Sequence, residues 1–227
     1  MDFSYTEEQQ MLQDSVQKFV QNRYDFDTRN AIIASDDGYS IENWQLFAEL
    51  GWLTVPFSEA DGGFGGSAVD LIVMMEEFGK ANLVEPFMPT AILGGGLVAA
   101  LGADTQKAEL LPRVMDGSLQ LACAYAESTS RFNLASVTTS AESDADSFVI
   151  NGSKIAVLNG SSADKLLVVA RESGATADRS GISVFLVDSE SEGVSTQAYT
   201  NVDGKKAARI SFGSVAVPVA QRLGEAG

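Results

Sequence analysis

The chain has 227 residues, of which 45% are hydrophobic, and its 31 acidic against 15 basic residues give a net charge of -16. This length accommodates one large domain or two small ones, and the negative charge repels phosphate backbones and anionic lipid surfaces, so nucleic acid is not an expected partner. Histidine is absent, which excludes Ser-His-Asp and Cys-His catalysis and most zinc sites, and no metal site is predicted.

Neither a membrane helix nor a secretory signal is predicted. No apolar run approaches the roughly 20 residues that span a bilayer, and the first eight residues are acidic rather than basic. A cytoplasmic location is therefore expected. The single cysteine, Cys123, lies between two alanines and is interpreted as a small buried residue rather than a nucleophile.

The first half of the chain has the apolar periodicity of helices. A capping box at Thr6 predicts a helix over 6–22. Shorter helices are predicted over 27–35 and 40–50, and the second of these ends at Gly51, where a left-handed C-cap is expected.

Helical patterning resumes over 68–80, where the apolar residues are dense enough to predict burial on most faces. Two more helices are predicted near 89–101 and 104–115. The glycine-rich loop 61–66 resembles a phosphate cradle, but it lacks the Lys-Ser/Thr of a P-loop and follows no convincing strand. It is interpreted as a tight turn between helices.

From about Leu119 the apolar period changes from about 3.6 residues to 2, which predicts strands. Asn151-Gly152 is the signal of a type I′ hairpin, and the strand pattern ends at Val217-Pro218. The change of period predicts a helical domain over 1–117 and a β-domain over 118–227. The predicted strands are 119–121, 136–141, 147–150, 155–158, 166–170, 182–187, 194–199 and 209–212.

The order of the two halves and several strings of residues resemble the acyl-CoA dehydrogenase family. The strings are Gly51-Trp52-Leu53 to Gly66, Asn151-Gly152-Ser153-Lys154, Asn159-Gly160, and Val217-Pro218 followed by Leu223-Gly224-Glu225-Ala226-Gly227. The resemblance implies a multidomain α+β fold: an N-terminal all-helical domain, then a small antiparallel β-barrel or sandwich. The C-terminal four-helix bundle of the family has no counterpart in these residues.

Within the family, three strings are most similar to the small-subunit type of pimeloyl-CoA dehydrogenase, a heteromeric subgroup. They are Arg23-Tyr24-Asp25-Phe26, Ala122 to Leu134 and Gly160 to Leu166. The resemblance implies FAD as the cofactor, an acyl-CoA as the substrate and a related large acyl-CoA dehydrogenase subunit as the partner, in a homo- or hetero-oligomer.

The family's flavin-binding strings are altered in this chain. Its middle domain carries Thr-Glu-Pro-x-x-Gly-Ser-Asp and, after a hairpin, Trp-x-Thr. Alignment without gaps retains only the glutamate, as Glu127. The cofactor-binding positions that the resemblance implies are Tyr125, Ala126, Glu127, Arg131, Phe132, Ala156 and Leu158.

The altered positions remove groups that would contact a flavin. Ala126 and Leu158 lack hydroxyls, each worth about 0.5 to 1.5 kcal/mol as a hydrogen bond to the ring edge. Ala156 lacks an indole that would cover the ring face. Arg131 and Phe132 add bulk where a glycine would allow close approach. The site is either degenerate or held by backbone amides of residues 125–127.

No catalytic residue is assigned, because the base of the family lies in its C-terminal bundle, and Glu127 is interpreted as a structural carboxylate. Three interpretations remain. The chain is a subunit of an FAD-dependent acyl-CoA dehydrogenase, completed by a partner and inactive alone; or a non-catalytic scaffold with a degenerate flavin site; or a fragment of a three-domain enzyme. A fragment is expected to expose an apolar patch that includes Leu71, Met74 and Met75.

Overall fold

The computed structural model describes residues 4–225, and its first half is helical. None of the helices within these residues is both long and apolar enough to cross a membrane. The helices are α1 Glu7–Arg23, α2 Phe26–Ala34, α3 Ile41–Glu49, α4 Ala68–Lys80, a π-helix Met88–Gly95, α5 Gly96–Leu101 and α6 Asp104–Met115, with 3-10 turns at Trp52–Thr54, Glu59–Asp61 and Val219–Gln221.

Side-chain caps fix where these helices begin. The Thr6 hydroxyl accepts the Gln9 N–H at 3.2 Å and the Gln9 side chain accepts the Thr6 N–H at 3.1 Å, so the capping box is confirmed. Ser40 caps α3 in the same way through the N–H of Asn43. Gly51 follows α3 with φ 73°, as the C-cap pattern predicts.

The glycine-rich loop 61–66 is a turn between helices, as predicted. The N–H groups of Gly63, Phe64, Gly65 and Gly66 all donate to backbone carbonyls of residues 54–58. A Cβ on Gly63 would lie 2.3 Å from the carbonyl oxygen of Phe57. Because these amides are already bonded to protein, the loop offers no cradle to a phosphate.

Helix α4 is buried on one side only, so the prediction of burial on most faces is wrong. Val73, Met74 and Phe78 are buried, whereas Ile72 is 54% exposed. The apolar patch that was expected of a fragment does not include Met74, because this residue is buried in the helical core.

The second half is an eight-stranded sheet with the order β6-β7-β3-β2-β4-β5-β8 and β1 beside β4. Most neighbours are antiparallel, but β1 runs parallel to β4, and a single parallel bridge joins β2 to β4, so the sheet is mixed. The helical-then-β architecture is confirmed. The strands are β1 Leu121–Ala124, β2 Ser140–Asp144, β3 Ser147–Leu158, β4 Lys165–Arg171, β5 Ile182–Asp188, β6 Val194–Thr200, β7 Lys206–Pro218 and β8 Arg222–Leu223.

The prediction of a hairpin at Asn151-Gly152 is wrong, because β3 passes through both residues without a break. The pairing with β7 shifts register there, and Asn151 Oδ1 accepts the N–H of Ser214 at 2.8 Å across the irregularity. The actual hairpin joins β2 to β3 through residues 145–146, where Ala145 has φ 50°.

The expected end of the strand pattern at Val217 is also wrong. Strand β7 continues to Pro218, which pairs with Ser147, and Val217 is buried in the sheet core. Strand β8 then pairs with β5, through Arg222 opposite Phe185. A two-residue strand is too short for sequence periodicity to indicate it.

Gly152 is required by close packing, which gives a first testable prediction. A Cβ at this position would lie 2.5 Å from Thr139 Oγ1, and the backbone φ is 150°. We expect Gly152→Ala to lower the free energy of unfolding by about 1–3 kcal/mol in urea denaturation. Gly79→Ala is the matched control, since nothing lies within 4 Å of its Cβ, and helix propensity should make it slightly stabilising. Equal effects of the two substitutions would contradict this account.

The apolar side chains form three clusters. The helical core is aromatic: Trp52 lies 4.9 Å from Phe47 and 5.8 Å from Phe78 between ring centroids, and Trp44 packs beside it. A second cluster fills the sheet. A third joins the halves by packing residues of α5 and α6 against the strands, and Phe57 belongs to it.

Candidate functional site

The structure brings together the two segments that the resemblance implies for a flavin. Residues 125–127 follow β1, and Ala156 lies near the end of β3. The N–H of Ile155 donates to the carbonyl of Ala126 at 2.8 Å, which joins the segments directly. The pairing of β3 with β7 shifts register between Lys154 and Val157, and Ala156 within the shift has φ 52°. The two segments are therefore joined through their backbones, and Ala156 lies in a β-bulge of β3.

Glu127 holds this bulge together from inside the protein. Its carboxylate accepts the N–H of Thr138 at 2.8 Å and that of Thr139 at 3.0 Å, and the Thr138 hydroxyl also donates to it. Lys154 Nζ lies 2.7 Å from Glu127 Oε1, and the two side chains are 0% and 3% exposed. Lys154 also donates to the carbonyl of Tyr125 at 3.4 Å. The structural interpretation of Glu127 agrees with these contacts.

The Glu127 carboxylate is ionised at neutral pH. Burial alone would raise its pKa, but the hydrogen bonds from Lys154, Thr138 and Thr139 outweigh burial and lower the pKa to about 2. A carboxylate with so low a pKa is a poor base for a carbon acid. Glu127 is thus a positioning group for the segment that follows β1.

The remaining predicted site residues fall into two groups. Ala156 is exposed, and Leu158 is half-buried at the wall of an apolar pocket. Arg131 and Phe132 lie on the loop that follows residue 127. Phe132 is 101% exposed, so its ring does not pack against residues 125–127 or Ala156. The structure therefore joins 125–127 with Ala156 and separates Phe132 from them.

The donor set on these residues does not fit a tightly held flavin. The N–H of Glu127 already donates to Ser130 Oγ at 3.1 Å, and the carbonyl of Ala126 accepts from Ile155. The side chains of Ala126 and Leu158 carry no donor. Of the groups that were expected to bind an isoalloxazine edge, most are therefore either absent or committed to the protein.

Next to Leu158 lies an apolar pocket that sequence reasoning missed. It has a cavity volume of about 70 Å3, opens to solvent, and lies where the helical half meets the end of β3. Met75 and Phe78 of α4 form one wall and Leu158 another. The rest of the lining comes from residues 37–39, the segment 83–89, and Lys205 and Lys206. Because the pocket is assembled from separate parts of the chain, no local pattern indicates it.

Asn159 connects the strand end at this pocket to the helical half. It has φ 60°, and its N–H donates to the carbonyl of Lys206 at 3.1 Å. Its side-chain amide donates to Gln120 Oε1 at 3.0 Å and to Thr90 Oγ1, in the π-helix, at 3.4 Å. These bonds fix Leu158 relative to the helices, and the Asn159-Gly160 string is the sequence signal for them.

A buried carboxylate, Glu85, belongs to the segment that lines the pocket and was not singled out from the sequence. It accepts hydrogen bonds from the Tyr24 hydroxyl at 2.8 Å and from the Asn43 amide at 2.9 Å. Burial raises the pKa of Glu85, and the two hydrogen bonds only partly oppose that rise. The available signal was a lone glutamate in the apolar run of residues 83–87.

Cys123 is not a reactive thiol. Its side chain is half-buried in β1, and burial raises the pKa of the thiol to about 11. The thiol is therefore protonated at neutral pH, as expected for a small packed residue.

Comparisons with known proteins agree with this architecture. The family model described as "Acyl-CoA dehydrogenase, N-terminal domain" matches residues 6–118, and "Acyl-CoA dehydrogenase, middle domain" matches residues 122–215. The acyl-CoA dehydrogenase FadE26 of Mycobacterium tuberculosis is 30% identical over 99% of this chain and 58% of its own length. The chain thus spans less than two thirds of that relative.

Solved structures share the fold over the whole chain. The ChsE4-ChsE5 complex of Mycobacterium tuberculosis has a TM-score of 0.86 and 29% identity over 100% of this chain and 58% of the matched one. A structure described as the FAD complex of PigA has a TM-score of 0.90 over 100% of this chain and 60% of its own, and at 23% identity it supports the fold alone. With both family models matched in order across the helical and β halves, the chain belongs to the acyl-CoA dehydrogenase family.

Proposed function

We propose that the chain is a subunit or part of an FAD-dependent acyl-CoA dehydrogenase whose active site is completed by a partner chain. The assembly would remove a proton and a hydride from adjacent carbons of an acyl-CoA thioester. Family membership supports the reaction class. The proposal also includes four finer predictions. They are a large-subunit partner, the small-subunit type of pimeloyl-CoA dehydrogenase, domains 1–117 and 118–227, and a cytoplasmic location.

The observation that carries the proposal is the apolar pocket beside Leu158. The resemblance places this residue at the flavin edge, and the structure lines the pocket with the same side chain. An alkyl chain held between Leu158 and Phe78 would lie next to the strand end at which hydride transfer takes place in the family. Apolar walls also exclude water from such a site.

The chain's own carboxylates do not supply the catalytic base. Glu127 is ion-paired with Lys154 and has a pKa of about 2. Glu85 belongs to the pocket lining, and its carboxylate is held by hydrogen bonds from the Tyr24 hydroxyl and the Asn43 amide. Since the reaction needs a positioned base and a hydride acceptor, both would come from the assembly, and flavin retention is assigned to the assembly as well.

A complex has a precedent among the matched structures. The ChsE4-ChsE5 structure is described as a complex, and the match covers 100% of this chain and 58% of the matched one. This supports an oligomer in which one chain supplies what another lacks. Homo- and hetero-oligomers are both compatible with this precedent, and the proposal favours the second because the flavin-contacting side chains are missing here.

Reconstitution tests the proposed function. The chain is mixed with a related large acyl-CoA dehydrogenase subunit, and acyl-CoA oxidation is followed with an artificial electron acceptor, with flavin absorption recorded after gel filtration. Activity and a flavin band that need both chains would support the proposal. Leu158→Trp, which fills the pocket, should abolish activity, while Val202→Trp at a fully exposed site should not. Identical activity with and without this chain would contradict it.

The alternative function is a non-catalytic scaffold. The observation that favours it is the set of committed or missing flavin donors at Ala126, Glu127 and Leu158. In that case Leu158→Trp would leave the activity of the complex unchanged, although the complex itself would still need this chain for stability. The same reconstitution therefore distinguishes the two functions.

A further inference from the structure

Two consecutive residues of the pocket lining are held by one side chain, that of Tyr24. The N–H of Val84 donates to the Tyr24 hydroxyl oxygen at 2.9 Å, and the Tyr24 hydroxyl donates to Glu85 Oε2 at 2.8 Å. Val84 and Glu85 line the pocket, whereas Tyr24 does not. Tyr24 can therefore influence the pocket only through the residues that it holds.

The direction of these hydrogen bonds follows from the groups involved. A backbone N–H can only donate, so the oxygen of Tyr24 accepts from Val84 and its proton remains for Glu85. Burial raises the pKa of Tyr24, which keeps that proton on the hydroxyl. Asn43 of α3 donates to the other carboxylate oxygen, Glu85 Oε1, at 2.9 Å. Both oxygens of Glu85 thus accept a hydrogen bond from an uncharged donor.

The segment that contains these two residues has no regular secondary structure to hold it. It lies between α4, which ends at Lys80, and the π-helix, which begins at Met88. The N–H of Leu83 donates to the carbonyl of Phe78 at 3.0 Å, which ties the start of the segment to α4. Its middle is tied to the ends of α1 and α3 by the side chains of Tyr24 and Asn43.

We propose that Tyr24 is a positioning residue of the pocket: its hydroxyl holds Val84 and Glu85 in the arrangement in which the pocket wall packs against an alkyl chain. The role of the pocket as the site of that chain rests on the proposed function. Removal of the hydroxyl would leave the N–H of Val84 and one oxygen of Glu85 without their partner. Because unpaired polar groups turn to water and the pocket opens to solvent, the wall would then bind an alkyl chain less well.

Glu85 supplies a readout that a merely structural role of Tyr24 would not change. Burial raises the pKa of Glu85, and the hydrogen bonds from Asn43 and Tyr24 partly oppose that rise because they favour the ionised carboxylate. An ionised carboxylate in the wall retains water that an alkyl chain would displace, so the affinity for an uncharged chain should fall as pH rises through the pKa of Glu85. Without the Tyr24 hydroxyl the pKa of Glu85 rises further, and the fall in affinity should move to higher pH.

One variant separates Glu85 from the other ionisable groups at the pocket. Glu85→Gln keeps an oxygen that can accept from Tyr24 but cannot ionise, so its affinity for an uncharged chain should lose the pH dependence that Glu85 causes. The other groups are Asp37, Tyr39, Lys205 and Lys206, which line the pocket, and Arg29 of α2, which interacts electrostatically with Tyr24.

A titration of the full chain with n-hexanol, an uncharged alkyl probe, tests the proposal. Binding is followed through the backbone amide shifts of Phe78 and Leu158 in heteronuclear NMR spectra, at several pH values. We expect Tyr24→Phe, which keeps the aromatic ring, to weaken hexanol binding about fivefold or more. Tyr199→Phe removes a hydroxyl from the exposed strand β6, and Val16→Ala destabilises the helical core at a residue that does not line the pocket. Each of these controls should change the affinity less than about twofold.

Several results would overturn the proposal. They are no hexanol binding to the wild type, equal losses of affinity in Tyr24→Phe and Val16→Ala, a pH profile that Tyr24→Phe does not shift, and a pH profile that persists in Glu85→Gln. Weaker hexanol binding in Tyr24→Phe, together with an inactive reconstituted complex, would support the role of Tyr24 and contradict the proposed function. An active complex whose KM for the acyl-CoA does not respond to Tyr24→Phe would do the reverse.

Discussion

Replacing Lys154 by methionine is expected to lower the free energy of unfolding by about 3–5 kcal/mol, because it leaves the Glu127 carboxylate buried without its counter-charge. The two side chains are 0% and 3% exposed and lie 2.7 Å apart, so no solvent compensates the loss. Urea denaturation followed by far-UV circular dichroism measures the effect. The same variant should loosen residues 125–127, since Lys154 also bonds the carbonyl of Tyr125.

Lys165→Met is the matched control for this prediction. Lys165 forms an ion pair with Asp188 at 2.6 Å, but the Asp188 side chain is 66% exposed, and the loss should stay within about 1 kcal/mol. The double variant Lys154→Met, Glu127→Gln should recover part of the stability, because no net charge remains buried. Similar losses of stability for Lys154→Met and Lys165→Met would show that burial does not determine how much an ion pair contributes to stability.

Lowering the pH should reduce the contribution of the Glu127 carboxylate to stability. The pKa of Glu127 in the folded chain, about 2, lies below its value of about 4.3 in an unfolded chain. Its contribution to stability is therefore present above the unfolded pKa and is lost as pH falls through the folded pKa. We expect the stability difference between the wild type and Glu127→Gln to shrink between about pH 4.5 and pH 2. A difference that is independent of pH in this range would contradict the assignment.

The second large effect is expected at Arg171, whose guanidinium is buried among backbone carbonyls. Arg171→Met should cost about 3–4 kcal/mol, because several hydrogen bonds from one buried charged group would be lost together. Their distances run from 2.8 to 3.2 Å, and the acceptors are the carbonyls of Val137, Ser173, Ser180, Ala135, Thr176 and Asp178. Hydrogen exchange should show residues 128–137 and residues 173–180 opening together in the variant.

Arg171→Lys separates charge from geometry. A lysine keeps the positive charge but has three donors on one atom, which cannot reach acceptors spread around a planar fork. We expect it to recover less than half of the lost stability. Arg179→Met, on the exposed side of the same loop, should change the stability by no more than about 0.5 kcal/mol. Full rescue by lysine would mean that charge alone holds the loops.

Helix starts could be predicted from the sequence because a cap and its partner are three residues apart. Thr6 with Gln9 and Ser40 with Asn43 are both found bonded as the local pattern requires. The hairpin at Asn151-Gly152 was mispredicted for the opposite reason. Gly152 serves a close contact with Thr139, the residue before β2, and a local rule contains no information about a residue so distant in sequence.

The sequence predicted which segments form the candidate site, but it did not predict the side-chain contacts around them. The alignment identified Glu127 and the strand that follows, and the structure joins these segments. The bond between Tyr24 and Glu85 links residues 61 positions apart, and the carbonyls around Arg171 lie up to 36 positions away. Such contacts depend on tertiary packing, which neither propensity nor periodicity encodes.

The aromatic core described above gives the helical half an optical reporter of its own. Both tryptophans of the chain, Trp44 and Trp52, lie in the helical core, so intrinsic fluorescence follows that half alone. Far-UV circular dichroism, by contrast, sums the helices and the strands. A denaturation followed by both signals therefore compares the helical half with the whole chain. Coincident curves would mean that Phe57 and its neighbours at the junction make them one cooperative unit.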